Sequence, residues 1–430
     1  MPKRRTVTRR DFLQRVAAGA ATVGTAWAAA AARAQVPGEG EPVVLGHIGL
    51  GGMGTGHLNG LSRNPRCRIV AVCDVHLERA ERGADIVAAG GGSAEVYQDF
   101  RHVIDRPDID GVVIATPDHW HALPTVMACS AGKDVYCEKP MHLFIDEGKE
   151  MVDTARRYGR VVQIGTQQRN QTHIRHAVEL VRSGRIGKVH TCHTWFGGGS
   201  GGGWPEAGVI PPELDWDLWL GPAPRVPYHQ NRFGNFRMYW DYSGGRLTDW
   251  GTHLMDIIHW GTGEDAPLSI EATGRYATDG IYDMPEAMRV TYEYPSYTMF
   301  WSQPPPDPLP LGDNREYGMY FEGTDGRLFV DREKYIIEPE EADAEPIGDG
   351  DFQLGPGIFH QDDWLNCIAT RQRPTSDVAI GHRSTSAPHL GNIAFRLGRR
   401  LNWEPQSQRF IDDDEANRWL SRPYRTPWTL

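Results

Sequence analysis

VVLGHIGLGGMG, residues 43–54, is the stretch on which the reading of the fold turns. An apolar run of strand length leads straight into Gly49-Leu50-Gly51-Gly52-Met53-Gly54, which fits G-x-G-x-x-G. Such a pattern is weak alone. Here it follows a strand pattern and opens a helical stretch reaching about Arg63, and Asp74 ends the next apolar run, RIVAVCD (68–74), 20 residues after Gly54. In that setting Gly49 allows the tight turn, Gly51 lets the backbone approach a pyrophosphate, and Gly54 lets helix and strand pack closely. The helix N-terminus, with Gly52 and Met53 in its first turn, then faces the phosphates. The pattern points to a dinucleotide. A carboxylate at Asp74 accepts from both ribose hydroxyls and repels a 2′-phosphate, which favours NAD over NADP. Arg79 and Arg82, one or two turns further on, read as a solvated helix face.

Working outward, the rhythm continues through GVVIAT (111–116), a helix from His121, DVYCE (134–138), a helix from Asp146 and RVVQIG (160–165). Strands alternating with helices predict a doubly wound parallel sheet of the Rossmann kind over 43–165. Two loops reach the carboxyl ends of its strands, where open α/β sheets place ligands. In ATPDHWHA (115–122), Thr116 and Pro117 close a strand and His119, Trp120 and His121 enter the next helix. In CEKP (137–140), Glu138 and Lys139 follow a strand directly. Spacing alone leaves two readings of that lysine open, a reacting group or a surface ion pair.

From Gly165 the pattern changes, and residues 166–403 read as a second, α+β domain, with 404–430 as a C-terminal tail. Short runs such as KVHTCHTWF (188–196), AMRVTYEY (287–294), TMFWSQ (298–303), YGMYFEG (317–323) and GRLFVD (326–331) alternate as strands, with turn signals between them. That suits a mainly antiparallel sheet. PPPDPLPLGD (304–313) and the acidic EPEEADAEPIGDGD (338–351) read as loops, and the runs after residue 358 as closing helices. A long irregular region separates the first strand from Tyr242, and a loop of that length is usually functional. Six of the 14 tryptophans fall in 195–250. Aromatic rings stack on the apolar faces of sugars, so a carbohydrate is the preferred substrate class; the alternative is a second hydrophobic core beneath the loop. His119, Trp120, Gln167, Arg169, Trp204 and Tyr242 are the substrate contacts expected from this reading.

DYSGGRLTDWGTHLMDIIHWG (241–261) predicts a helix. Leu247, Trp250, Leu254 and Ile258 form an inward stripe, while Asp249, His253, Asp256 and Trp260 form another. One turn apart, Asp249 and His253 can reach one substrate, and a histidine beside a carboxylate can accept a proton near neutral pH. The pair also permits a metal, but no third ligand is indicated, so no metal is expected. His360 and His389 read as structural or surface histidines.

The glycine loop, Asp74, TPDHWH and above all EKP resemble the Gfo/Idh/MocA family of oxidoreductases, over about Val43 to Trp403. The resemblance implies a Rossmann domain followed by a domain on a large open, mainly antiparallel sheet. Gly244, Gly245, Asp249 and His253 fit the family's G-G-x-x-x-D-x-x-x-H, so the resemblance implies Lys139, Asp249 and His253 as the catalytic set, with His253 as the base. It implies an NAD-dependent oxidoreductase acting on a sugar or polyol. Two other functions compete: a redox-neutral glycoside hydrolase using NAD catalytically, whose members tend to lose the EKP lysine, and a sugar-binding protein without activity.

The leader frames how such an enzyme would work. Thr8-Arg9-Arg10-Asp11-Phe12-Leu13 is a twin-arginine pattern, Val16 to Ala32 is apolar, and Ala32-Arg33-Ala34 places cleavage before Gln35. The expectation is an extracytoplasmic, periplasmic protein carried by the twin-arginine machinery, with no membrane span in its mature form. After residue 34, 38 basic and 55 acidic side chains remain, a net charge of −17 that makes nucleic acid a poor partner. Six scattered cysteines read as free core thiols, as in a chain folded in a reducing cytoplasm before export. An open sheet face implies a homodimer or homotetramer. Away from the cytoplasmic pool a spent nucleotide is not exchanged, so a tightly bound, internally recycled cofactor is expected.

Overall fold

The computed structural model describes residues 41–430 apart from 199–200, 308–314 and 356. The leader and the middle of the PPPDPLPLGD loop lie outside the described residues. The first half is a six-stranded sheet of β1 (Val43–Ile48), β2 (Cys67–Cys73), β3 (Glu95–Tyr97), β4 (Gly111–Ile114), β5 (Asp134–Cys137) and β6 (Val162–Ile164). Its order is β3-β2-β1-β4-β5-β6 and every pairing is parallel. Apolar clusters pack on both faces, and β4 and β5 are buried along their whole length. Two covered faces explain why these strands read as unbroken apolar runs. The strand order reverses between β1 and β4, which opens a crevice at their carboxyl ends.

The second half is a nine-stranded sheet of β7 (Val189–Phe196), β8 (Ser269–Tyr276), β9 (Pro285–Glu293), β10 (Thr298–Gln303), β11 (Tyr317–Gly323), β12 (Arg327–Val330), β13 (Tyr335–Glu338), β14 (Leu401–Glu404) and β15 (Arg409–Phe410), in the order β13-β12-β11-β7-β10-β9-β8-β14-β15. Only β7 and β10 pair in parallel. Along β10, Met299, Trp301 and Gln303 are buried while Thr298, Phe300 and Ser302 are half-buried, the alternation of a sheet covered on one side. The helices Thr172–Arg182, Gly245–Thr262 and Val378–Leu397 share one core with this sheet.

Helix Gly245–Thr262 is the element that positions the site. Leu254, Met255, Ile257 and Ile258 are all fully buried, so the helix is enclosed nearly all round. Its polar residues Asp249, His253 and Asp256 are therefore buried too, and each must find a partner or pay for desolvation. The last 27 residues, expected as a tail, are packed instead. Phe410 and Leu420 enter the large core, Arg425 Nη1 lies 2.8 Å from Asp217, and the Trp428 ring meets Trp120 at 4.9 Å. All six cysteines are buried and unpaired. Among the described residues no helix is long and apolar enough to cross a membrane.

Candidate active site

The glycine loop divides its labour as the spacing suggests. Gly49 has φ of 91°, and a Cβ on Gly54 would lie 1.9 Å from the Gly49 carbonyl oxygen. A Cβ on Gly51 or Gly52 would meet nothing within 4 Å, so the space before the helix N-terminus is open where a pyrophosphate would lie. Asp74 Oδ2 accepts from the Leu50 amide at 2.7 Å and Oδ1 from the His76 amide at 2.9 Å. Burial raises the Asp74 carboxyl, with these two amides working against the rise. Gly51, Gly52, Asp74, Thr116, Pro117 and Lys139 all face one cavity of about 490 Å³. An open glycine cradle, a strand-ending carboxylate and a cavity of that size fit a dinucleotide.

A strap from the second domain lies across this crevice. Leu77 N donates to Glu213 O at 3.0 Å and Asp215 N to Val75 O at 3.0 Å, while Gln98 Nε2 bonds both carbonyls. Leu218, Trp219, Phe233 and Phe236 form its inner wall. Arg79, expected on a solvated face, sits over the Phe233 ring at 4.6 Å and lines the cavity; Arg82 is exposed beside Glu78, as expected. The strap hangs on a small core of Leu214, Trp216, Trp219, Leu220, Met238, Tyr239 and Tyr242. Trp216 and Trp219, two of the window's six tryptophans, thus belong to a second core, which limits the window's value as a sugar signal.

At the far end, Lys139 Nζ donates to Asp249 Oδ1 at 2.7 Å and to the Asp249 carbonyl at 2.9 Å. Arg237 Nε lies 3.0 Å from the same carboxylate oxygen. Burial would raise the Asp249 carboxyl, but Lys139 and Arg237 outweigh it and hold it well below its ordinary range. Asp249 is therefore an anion that fixes Lys139. His253 makes no hydrogen bond among the described residues, and its Nδ1 is buried without a partner. Burial first, then the charges of Lys139 and Arg332, push its pKa well below 6.5, so the ring is neutral and able to accept a proton. Glu138 lies 2.6 Å from His57 Nε2 and 2.7 Å from Gln167 Nε2, and Gln361 lies 2.6 Å from the other His57 nitrogen. His121 ties the Thr116 carbonyl (2.8 Å) to the Pro140 carbonyl (2.7 Å), holding the two crevice loops together.

Several expected substrate contacts are placed elsewhere. His119 Nε2 bonds the Trp219 carbonyl at 3.0 Å, and burial drives its pKa down to about 3; Trp120, by contrast, lines the cavity, with its Nε1 bonded to the same carbonyl at 2.9 Å. Tyr242 is fully buried in the strap core. Arg169 forms a two-pronged, buried pair with Asp256 at 2.7 and 2.9 Å. Trp204 is 47% exposed, away from the cavity. Gln167 serves Glu138 and Tyr136. Hydrogen bonding and packing explain these residues without a ligand. His360 and His389 are buried and bonded to the Ile164 and His142 carbonyls, as structural histidines are. Among the described residues no group of three or more histidines, cysteines and acids is arranged to hold a metal ion. Sequence reasoning missed Arg237, Asp118, His57 and Phe233. Asp118 sat inside the quoted TPDHWH motif; it accepts from Ser243 Oγ at 2.5 Å, and burial raises its carboxyl.

The WlbA dehydrogenase from Bordetella pertussis, solved in complex with NADH and UDP-GlcNAcA, superposes with a TM-score of 0.63 at 18% identity, covering 85% of this chain and 99% of that one. An inositol 2-dehydrogenase of Rubrobacter xylanophilus is 36% identical over 161 residues, 37% of this chain and 45% of the relative. A 2,7-anhydro-N-acetylneuraminate hydratase of Mediterraneibacter gnavus is 30% identical over 174 residues, 39% of this chain and 42% of the relative. The chain thus spans under half the length of both curated relatives. Residues 44–166 match the oxidoreductase family's NAD-binding Rossmann fold, and residues 170–430 match its C-terminal alpha/beta domain. With both halves matched in order, the chain belongs to the Gfo/Idh/MocA oxidoreductase family.

Proposed function

We propose that the protein is an NAD-dependent oxidoreductase acting on a CH–OH group of a sugar, sugar derivative or polyol, with the nucleotide retained through the cycle and its hydride passed on to a second sugar, which is reduced. The observation that carries this reading is Lys139 at the end of the nucleotide cavity, 2.7 Å from Asp249, which itself stands one helical turn before the neutral His253. Bound NAD supplies a hydride acceptor. The chain's own residues do the rest. Asp249, anionic and shared by Lys139 and Arg237, fixes the ammonium where it can orient the reacting hydroxyl. The imidazole of His253 takes the hydroxyl proton. Asp74, a strand-ending carboxylate that lines the cavity, supports NAD over NADP.

Retention is supported by the strap, which is hydrogen-bonded to Val75 and Leu77 and lines the nucleotide cavity. That device suits an enzyme exported by the twin-arginine route, which carries folded cargo, into a compartment without free NAD. Retention also favours a second reading, a redox-neutral reaction that oxidises and re-reduces one substrate around an elimination, and the name of the hydratase relative is in keeping with it. Mass spectrometry of products from a panel of sugars and glycosides separates the two. Loss of two hydrogens supports net oxidation, and cleavage or water addition at constant oxidation state supports the second reading. Unchanged masses across the panel contradict both.

A further inference from the structure

Beyond the reacting pair, the site has a second wall. Arg246, Asp249, Trp250 and His253 stand at i, i+3, i+4 and i+7 on helix Gly245–Thr262, and so share one face. Phe196 and Tyr317, paired across β7 and β11, lie under Trp250 with ring centres 4.5 and 4.9 Å away. Arg332, in the turn after β12, lies 4.7 Å above the Trp250 ring, and Arg246 lies 5.5 Å from the Phe196 ring. The charge of Arg332 acts on both His253 and Asp249.

Neither arginine has a carboxylate partner among the described residues, although the chain holds 56 acids against 45 bases. The nearby acids are committed elsewhere. Asp331 is engaged by Arg315 at 3.2 Å and by the amides of Glu333 and Lys334, and Asp249 by Lys139 and Arg237. Arg169, by contrast, is fully paired with Asp256. Stacking on a ring uses the face of a guanidinium and leaves its in-plane N–H donors free. Arg246 Nε is buried with no acceptor, and the half-buried guanidinium of Arg332 is held at the reacting end of the site.

We infer that the substrate is an acidic sugar, its carboxylate received by Arg332, whose guanidinium is held against Trp250. The inference rests on the oxidoreductase reading above and names the substrate class of that same site. A planar carboxylate matches the fork of an arginine, and such charge-assisted pairs are the stronger hydrogen bonds.

The test sets D-glucuronate, D-galacturonate and their methyl glycosides against D-glucose, D-galactose and theirs, using the full chain with its retained nucleotide. The acidic members are expected to have the higher kcat/KM. Arg332→Gln is expected to lower kcat/KM for them, chiefly through KM, by about 10- to 100-fold more than for the neutral sugars. Arg332→Lys should recover part of the loss. Calorimetric binding to Lys139→Ala repeats the comparison without turnover, so it decides this inference even if no sugar reacts, an outcome that would count against the oxidoreductase reading. Neutral sugars binding as tightly as acidic ones, or an equal loss for both classes in Arg332→Gln, would overturn it.

Discussion

Lys139 and Asp249 form one ion pair, and Asp249 is enclosed. A buried carboxylate survives as an anion only when cations surround it, and here Lys139 and Arg237 both reach the same oxygen. Lys139→Ala and His253→Ala are each expected to cut turnover by about 10²- to 10⁴-fold while the nucleotide stays bound, read by steady-state rates beside the ultraviolet spectrum of the purified variant. Near-normal rates in both would remove them from the chemistry. Because burial and neighbouring cations hold His253 well below 6.5, it stays unprotonated as pH falls through that value. The pH–rate profile should therefore show no inflection near 6.5, and a midpoint there would mean that the base titrates as an ordinary histidine. At the other end of the crevice, Asp74→Ser should relax discrimination against NADP, measured by the nucleotide retained after loading with each; NADP in the purified wild-type protein would contradict the role given to Asp74. These residues were legible because each sits in a periodic or motif-bound stretch. Arg237 was not. It lies in an irregular loop, and only the chain's path brings it to Asp249.

At the scale of elements, legibility followed burial. Strands β1, β2, β4 and β5 are covered on both faces and announce themselves as apolar runs, whereas β3 is a three-residue edge strand, exposed or half-buried throughout, and was missed. The strand β8 was missed for the same reason, since five of its eight residues are exposed. Helix Gly245–Thr262 was readable from its stripes, although its second stripe divided: Asp249 and His253 face the site, while Asp256 is spent on Arg169 and Ser384. The strap could not be read at all. Its contacts with Val75, Leu77 and Arg79 are more than 130 residues distant in sequence, and its tryptophans gave the same signal that a sugar platform would. If the strap retains the nucleotide, Phe233→Ala and Arg79→Ala should each shed it faster. After repeated gel filtration the variants should fall below wild-type occupancy, by nucleotide absorbance of the denatured protein. Equal occupancy would leave the strap a role in packing alone.

For the molecule as a whole, burial of histidines sets the response to acid. His47, His119 and His259 are lowered to about 3, and His360, His382 and His389 to about 4, in every case chiefly by burial. Unfolded, each titrates near 6.5, so the unfolded chain binds protons first as pH falls. Stability is therefore full above about pH 6.5 and drains away toward pH 4, by up to about 1.4 kcal/mol per histidine per pH unit. Asp283, raised to about 6 by burial, opposes this with the reverse sign. Thermal unfolding should show Tm falling steeply from pH 6.5 to 5, and a flat profile would mean that these histidines are open to protons in the native state. The proposal for the whole molecule is that the nucleotide remains in the crevice through the cycle. The most direct measurement is nucleotide content and turnover on protein purified in its folded form without added NAD. The expected result is close to one NAD per chain, many turnovers with no NAD added once a second, reducible sugar is supplied, and a 340 nm absorbance that returns to baseline when that second substrate is present. Protein that emerges empty and consumes free NAD at every turnover would contradict it.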